Sequence, residues 1–168
     1  MLTKLSTLSL CFTFAVLVCT AQSDSTMAPY REKPGLPVFS LTTVPDSTIF
    51  LSSVLKKDIT TIFIIFSPDC EYCQHETRDL LKNMETFKNT QIVMVTYMPY
   101  EMLAKFYNDY HIGRYPNIIM GRDNKFFFTK FFKLKIMPST FVYDSRGNFK
   151  NAFRERVDMP VLARELQN

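Results

Sequence analysis

The residues with the clearest chemical potential are two cysteines in the run Cys70-Glu71-Tyr72-Cys73. This run follows an apolar, β-branched segment and opens a segment with helical periodicity, so we expect Cys70 at the amino end of a helix. Unpaired N–H groups and the partial positive charge at that end stabilise a thiolate, and the second sulfur lies one turn further on. The arrangement predicts thiol–disulfide exchange, in which Cys70 attacks a substrate disulfide and Cys73 then releases the reduced product.

Metal binding is the alternative chemistry for such a pair. Zinc needs four ligands, or three and a water, and the only histidines of the chain are His75 and His111. The helical period places His75 on the far side of the helix from Cys73. A covalently attached haem needs histidine directly after the second cysteine, where Gln74 stands. We therefore predict no metal and no cofactor beyond a redox-active disulfide between Cys70 and Cys73.

The amino end has the features of a secretory signal peptide, which we place at residues 1–21. Lys4 precedes an apolar run that is shorter than the approximately 20 residues needed to span a bilayer. The small side chains of Cys19 and Ala21 stand where signal peptidase cleaves. We expect an exported protein, periplasmic or secreted, with no stable membrane span. Lipidation of Cys19 is the alternative, and Val18 disfavours it because that processing prefers a small residue before the cysteine.

Export changes the meaning of the cysteine count. Cys11 and Cys19 lie in the signal, so the mature chain keeps only Cys70 and Cys73, each the other's sole intramolecular partner. A bridge across two intervening residues restricts the unfolded chain very little. Redox chemistry therefore explains this pair better than stabilisation does.

Length and composition bound the remaining possibilities. A chain of 168 residues predicts one domain, and 46% hydrophobic with 21% charged residues excludes disordered and fibrous classes. The formal charge of +4 is too small to indicate nucleic-acid binding. A stretch rich in Ser, Thr, Pro and charge predicts a flexible leader over residues 22–36, and the folded domain then covers residues 37–168.

The domain is predicted to be α/β, a central mixed sheet flanked by helices. Strand and helix signals alternate through the first half, which implies right-handed parallel crossovers. The strands are placed at 37–41 (an edge strand), 60–66 (the sheet centre) and 91–97, and the helices at 71–87 and 99–110.

The second half is predicted to close the sheet with a hairpin. Residues 113–124 are interpreted as loop around a short apolar piece at 117–120, and the phenylalanine-rich stretch 126–132 as a short helix whose rings fill the core. The alternative for some of these rings is a substrate groove. A hairpin, 139–143 and 148–157, surrounds a turn that contains Gly147, and a helix from 159 to about 167 ends the chain.

Two stretches, Phe66 to Gln74 and Met137 to Gly147, resemble the thioredoxin-like superfamily, specifically the exported TlpA/ResA-like thiol–disulfide oxidoreductases. The resemblance covers roughly Pro37 to the end and implies a thioredoxin-like fold. It implies that Pro138 forms a cis bond close to the sulfurs and keeps metals off them. It also implies that Met137 offers its backbone to an incoming peptide, and we expect Glu71 and Tyr72 to contact that substrate too.

Glu76 is a candidate proton acceptor. Membrane-anchored members of the family that the chain resembles carry a glutamate at this spacing, three residues after the second cysteine. At the rim of the apolar stripe, a partly desolvated Glu76 would have a raised pKa and could take the proton of Cys73. The alternative is an ordinary solvated glutamate in the first turns of a helix, where the dipole favours acids.

The chain departs from the family pattern just before the first cysteine. Asp69 replaces the tryptophan that is common there, and the chain contains no Trp. Asp69 and Glu71 place two acids beside Cys70, and their field opposes the helix dipole. We therefore predict a reductant rather than a strong oxidant.

Three functions remain in competition. The leading one is disulfide exchange with client proteins, supplied by an upstream electron donor that the sequence does not specify. A thiol peroxidase of the same fold is the second, although Pro68-Asp69-Cys70 lacks the usual Pro and Thr frame before a peroxidatic cysteine. The third is a secreted, non-catalytic binding module with a phenylalanine-rich contact surface.

Overall fold

The computed structural model describes residues 27–167, so the predicted signal peptide and Cys19 lie outside the described residues. The described part of the chain forms five α-helices, which are α1 (Pro29–Glu32), α2 (Glu71–Lys82), α3 (Tyr100–Asp109), α4 (Phe127–Phe131) and α5 (Met159–Arg164). Its seven strands are β1 (Ser40–Thr43), β2 (Ile49–Leu51), β3 (Thr61–Ile65), β4 (Gln91–Thr96), β5 (Ile118–Arg122), β6 (Ser139–Tyr143) and β7 (Phe149–Phe153).

All seven strands form one mixed sheet in the order β2-β1-β5-β4-β3-β6-β7. The three central strands β5, β4 and β3 are parallel, and the outer strands pair antiparallel on both sides. Parallel neighbours require crossover helices, which α2 and α3 supply. The mixed sheet flanked by helices confirms the predicted fold class.

Helices cover both faces of the sheet, so the central strands are buried on both sides. Every residue of β3 and β4 is buried, as the continuous apolar pattern of these segments predicts. Ile62 and Ile64 join the core under α2, α3 and α5, whereas Phe63 and Ile65 join the core under α1 and α4. This alternation follows from the two-residue period of a strand.

The packed part of the chain begins before Pro37, where the sequence places the end of a flexible leader. Helix α1 places Tyr30 in the core that also contains Phe63 and Ile65, and Tyr30 is only 1% exposed. Its ring packs edge-on against Phe132, Phe141 and Phe149. The buried ring of Tyr30 thus attaches α1 to the folded domain, although the composition of residues 22–36 predicts a flexible leader.

Two strand predictions on one side of the sheet are wrong. The strand expected at the edge is β1, which starts at Ser40 and lies second, because β2 forms the edge. The stretch expected to be loop contains β5, which lies inside the sheet between β1 and β4. Gly121 lets β1 approach, since a Cβ at this position would lie 2.8 Å from Leu41 Cβ. Gly121, which lies in the stretch interpreted as loop, is thus a contact residue of an interior strand.

The second half otherwise follows the predictions. The hairpin of β6 and β7 forms around a turn with Gly147 at φ +80, although β7 ends earlier than expected, at Phe153. Within the predicted short helix region, Phe128 and Phe132 are buried, but Phe126 is 48% exposed. The rings there therefore divide between core and surface.

Candidate active site

Cys70 lies in the loop that follows β3 and is the N-cap residue of α2. Its Sγ accepts a hydrogen bond from the backbone N–H of Cys73 at 3.4 Å, so the sulfur replaces the oxygen of an ordinary capping side chain. The thiol is partly exposed, and the structure shows Cys70 and Cys73 as free thiols. The predicted position at a helix amino terminus is confirmed.

Cys73 lies one turn further along α2, on the face that packs against the sheet, and is only 1% exposed. The backbone N–H of Ser67 donates to its Sγ at 3.5 Å. Burial raises the pKa of the Cys73 thiol, and the hydrogen bond to Cys70 raises it further. Because burial disfavours the charged thiolate, Cys73 keeps its proton. Cys70, by contrast, is partly exposed to solvent.

The loop before β6 reaches the cysteine pair because β6 pairs directly with β3. In that ladder Ser139 stands opposite Ile65, so Met137 and Pro138 lie just beyond the end of β3, where the cysteine loop begins. The Met137–Pro138 peptide bond is cis. The carbonyl oxygen of Met137 lies 3.9 Å from Cys70 Sγ and accepts from its thiol. The structure thus brings together residues that are 67 positions apart.

The two residues between the cysteines are at the surface. The side chain of Tyr72 is 66% exposed, and the Glu71 side chain is 83% exposed with its carboxylate 3.6 Å from His75 Nε2. Both side chains therefore lie open to solvent beside Cys70.

Glu76 is buried inside the protein, not at the rim of the apolar stripe. The residue is only 1% exposed. Thr140 Oγ1 donates to Oε1 at 2.9 Å, and the backbone N–H of Val157 donates to Oε2 at 3.1 Å. Burial raises the pKa of Glu76 to about 7, because desolvation outweighs these two hydrogen bonds. The site thus contains a carboxyl that exchanges its proton near neutrality, three residues beyond Cys73.

Sequence reasoning did not identify the residues that hold Glu76. Thr140 comes from β6, and Val157 comes from the segment after β7, 81 positions away. Beside them, Arg156 pairs with Asp79 of α2 at 2.9 Å and fastens that segment onto the helix. Local spacing carries no signal for these contacts, because the sheet creates them.

Two further features of the described residues bear on the site. Among residues 27–167, no cluster of three or more His, Cys, Asp or Glu side chains is arranged to hold a metal ion. Over the same range, none of the helices combines the length and apolarity that crossing a bilayer requires.

The mixed sheet and the cysteine pair at the start of α2 place the chain in the thioredoxin-like fold class. The chain belongs to the AhpC/TSA family, whose model matches residues 34–152. No curated protein sequence matches it significantly.

Solved structures of similar fold agree with this class. A secreted disulfide oxidoreductase of Mycobacterium tuberculosis, homologous to E. coli DsbE, gives a TM-score of 0.64 at 14% identity, covering 76% of this chain and 93% of that one. StoA of Bacillus subtilis gives 0.59 at 15% identity, covering 80% and 99%. A peroxiredoxin-like protein of Aquifex aeolicus gives 0.64 at 14% identity, covering 79% and 84%. At these identities the similarity establishes the fold.

Proposed function

We propose that this protein is an exported thiol–disulfide oxidoreductase that reduces disulfides in client proteins. The observation that carries the proposal is the asymmetry of the pair. Cys70 is partly exposed at a helix amino terminus and faces the Met137 carbonyl, while Cys73 is a buried thiol behind it. An exposed nucleophile with a protected second thiol is what two-step exchange requires.

The reaction begins when Cys70, as thiolate, attacks one sulfur of a client disulfide. A Cys70–client disulfide forms, and the other client sulfur leaves as a thiolate that takes up a proton. Cys73 then loses its proton and attacks Cys70 Sγ, which releases the client thiol and leaves the Cys70–Cys73 disulfide. Two electrons pass from the protein to the client, and an upstream donor must return them.

Glu76 is the proton acceptor for the second step. Cys73 has a raised pKa and cannot ionise unaided near neutral pH. Glu76 is the carboxyl three residues further along the same helix, and its pKa of about 7 lets it hold or release a proton under those conditions. This role explains why the fold retains a carboxylate at a position that is only 1% exposed.

The client segment is held by the loop before β6. The backbone of Met137 offers hydrogen bonds to an extended peptide, and cis Pro138 fixes that backbone beside the sulfur. Glu71 and Tyr72 contact the same segment from the other side. The direction of exchange stays a prediction: the two acids beside Cys70, Asp69 and Glu71, are the feature of the sequence that favours a reductant over a strong oxidant.

Trapping of mixed disulfides tests this function. The Cys73→Ser variant should accumulate a covalent Cys70–client disulfide, because the second step needs the missing thiol. Mass spectrometry under non-reducing conditions detects the adduct, and an insulin-reduction assay follows turnover of the unmodified protein. The matched Cys70→Ser variant should form no adduct and reduce no insulin. Adducts on Cys73 in that variant, or none in either, would contradict the assignment.

A thiol peroxidase is the second candidate, favoured by the AhpC/TSA match and the similarity to a peroxiredoxin-like protein. Here Cys70 would attack a peroxide oxygen, release water and form a sulfenic acid, which Cys73 would convert to the disulfide with loss of a second water. Peroxide consumption separates the two functions. A peroxidase consumes hydrogen peroxide many times faster than it reduces insulin, and the favoured function predicts the reverse.

A further inference from the structure

A cleft of about 450 Å³ opens beside the loop that precedes Pro138. We call it the basic cleft, and its lining includes Ala28, Tyr30, Arg31, Lys135, Ile136 and Arg154. None of the described residues that line it is acidic. A concave surface that presents only positive charge favours a negatively charged occupant.

Two of the cations in the cleft, Arg31 and Arg154, are held by residues of the core under α1 and α4. Arg154 donates to the Tyr30 hydroxyl at 2.9 Å and to the Lys133 carbonyl at 3.3 Å, and its guanidinium lies 5.1 Å from the centre of the Phe141 ring. Arg31 Nε donates to the same hydroxyl at 3.0 Å. These contacts orient the two guanidinium groups without neutralising them.

Three cations of the cleft have no carboxylate partner within the described part of the chain. Among residues 27–167, the ion pairs that form do not include Arg31, Lys135 or Arg154. The phenol between the two arginines responds to their field: burial raises the pKa of Tyr30, but the hydrogen bonds from Arg31 and Arg154 and their charges bring it below its ordinary value. The lowered pKa of Tyr30 indicates a positive electrostatic potential where this residue lines the cleft.

The loop before Pro138 connects the basic cleft to the candidate active site. Ile136 lines the cleft and is 53% exposed, and the next residue is Met137, whose carbonyl oxygen lies 3.9 Å from Cys70 Sγ. An extended peptide advances about 3.3 Å per residue. A client segment bound along Met137 therefore reaches the cleft within a few residues of its reactive cysteine.

We propose that the basic cleft binds an acidic segment of the client, within about four residues of the cysteine that Cys70 attacks. The inference rests on the proposed function and gives it a substrate class, namely clients whose reactive cysteine is flanked by Asp or Glu. Attraction of this kind acts mainly on the association step, so it appears in the second-order rate constant and weakens with salt.

Short peptides with one cysteine, blocked as a thiopyridyl mixed disulfide, provide the test. The reduced protein attacks the peptide sulfur and displaces thiopyridone, whose absorbance gives the rate; Cys73 then releases the peptide thiol and forms the Cys70–Cys73 disulfide. The peptides differ only in three flanking residues, all Glu, all Gln or all Lys, placed on either side of the cysteine.

The Glu peptide should react about tenfold faster than the Gln peptide at ~20 mM salt, and the Lys peptide should be slowest. Near 0.5 M salt, where the Debye length is only a few Å, the difference should shrink to about twofold or less. The double variant Arg31→Gln with Lys135→Gln, both exposed, should lose most of the Glu preference. The matched Lys57→Gln variant should keep it, because Lys57 is exposed and precedes β3, at the opposite end of that strand from Cys70.

Different failures have different meanings. If the protein attacks the Gln peptide but shows no Glu preference, or if the double variant keeps the full preference, the basic cleft is not the selecting site and this inference is overturned. If the unmodified protein reacts with no peptide faster than the Cys70→Ser variant does, the proposed function fails, and the inference fails with it.

Discussion

At the scale of single residues, Glu76 makes the stability of the protein depend on pH. The pKa of this carboxyl rises from its ordinary value of 4.5 to about 7 in the folded chain, because it is buried. Between these two values the folded state binds more protons than the unfolded state, so stability is complete below about pH 4.5 and falls as the pH rises through 7. The loss amounts to about 3 kcal/mol once the group is ionised in both states.

Glu76→Gln removes this pH dependence and provides a prediction. The amide keeps an acceptor for the Val157 N–H, and Thr140 Oγ1 can accept from its NH₂ group. We expect the variant to be about 2–3 kcal/mol more stable than the unmodified protein near pH 8.5, and within about 1 kcal/mol of it near pH 4.5. Urea unfolding of the reduced proteins at both pH values measures the difference.

The control for this prediction is Glu155→Gln, because Glu155 is exposed. It should leave the pH profile of stability unchanged. A Glu76→Gln variant that is equally destabilised at both pH values would show that the carboxylate is needed for structure and that its ionisation does not weaken the fold. The same variant should slow the release of the client from Cys70, since Cys73 loses its proton acceptor.

At the scale of elements, the fold depends on a strand that the sequence does not reveal. In β5, Gly121 accommodates the close approach of β1, and Gly121→Ala would place a Cβ 2.8 Å from Leu41 Cβ and 3.2 Å from the Thr42 carbonyl oxygen. Because backbone must move to relieve these contacts, we expect a loss of about 1–3 kcal/mol in the free energy of unfolding.

Gly35→Ala is the matched control for Gly121→Ala. A Cβ at position 35 would meet no atom within 4 Å, so this change should stay within about 0.5 kcal/mol of the unmodified protein. Thermal unfolding followed by circular dichroism compares the two variants. Equal losses of stability for Gly121→Ala and Gly35→Ala would contradict the close contact between β1 and β5.

At the scale of the whole molecule, the predictions succeed where the signal is local and fail where distant segments supply it. The position of Cys70 at the start of α2 follows from an apolar strand and a helical period that adjoin in sequence. The burial of Glu76 depends on Val157, and the packing of Tyr30 depends on rings more than 100 residues away. Neither contact produces a periodic pattern in the segment around Glu76 or Tyr30. Local patterns therefore place Glu76 at the rim of the apolar stripe of its helix and Tyr30 in the flexible leader.

The two cores on opposite faces of the sheet should unfold as one cooperative unit, because β3 and β4 contribute alternate side chains to both. Ile92→Val in the core under α2 and Phe132→Leu in the core under α4 each remove buried apolar contacts and should each cost about 1 kcal/mol. Since these residues lie in separate cores, the double variant should lose the sum to within about 0.5 kcal/mol. Urea unfolding followed by far-ultraviolet circular dichroism and by tyrosine fluorescence should give one shared midpoint for each variant. Different midpoints for the two probes would mean that the two cores unfold independently. That result would contradict the prediction that the shared sheet makes them one cooperative unit.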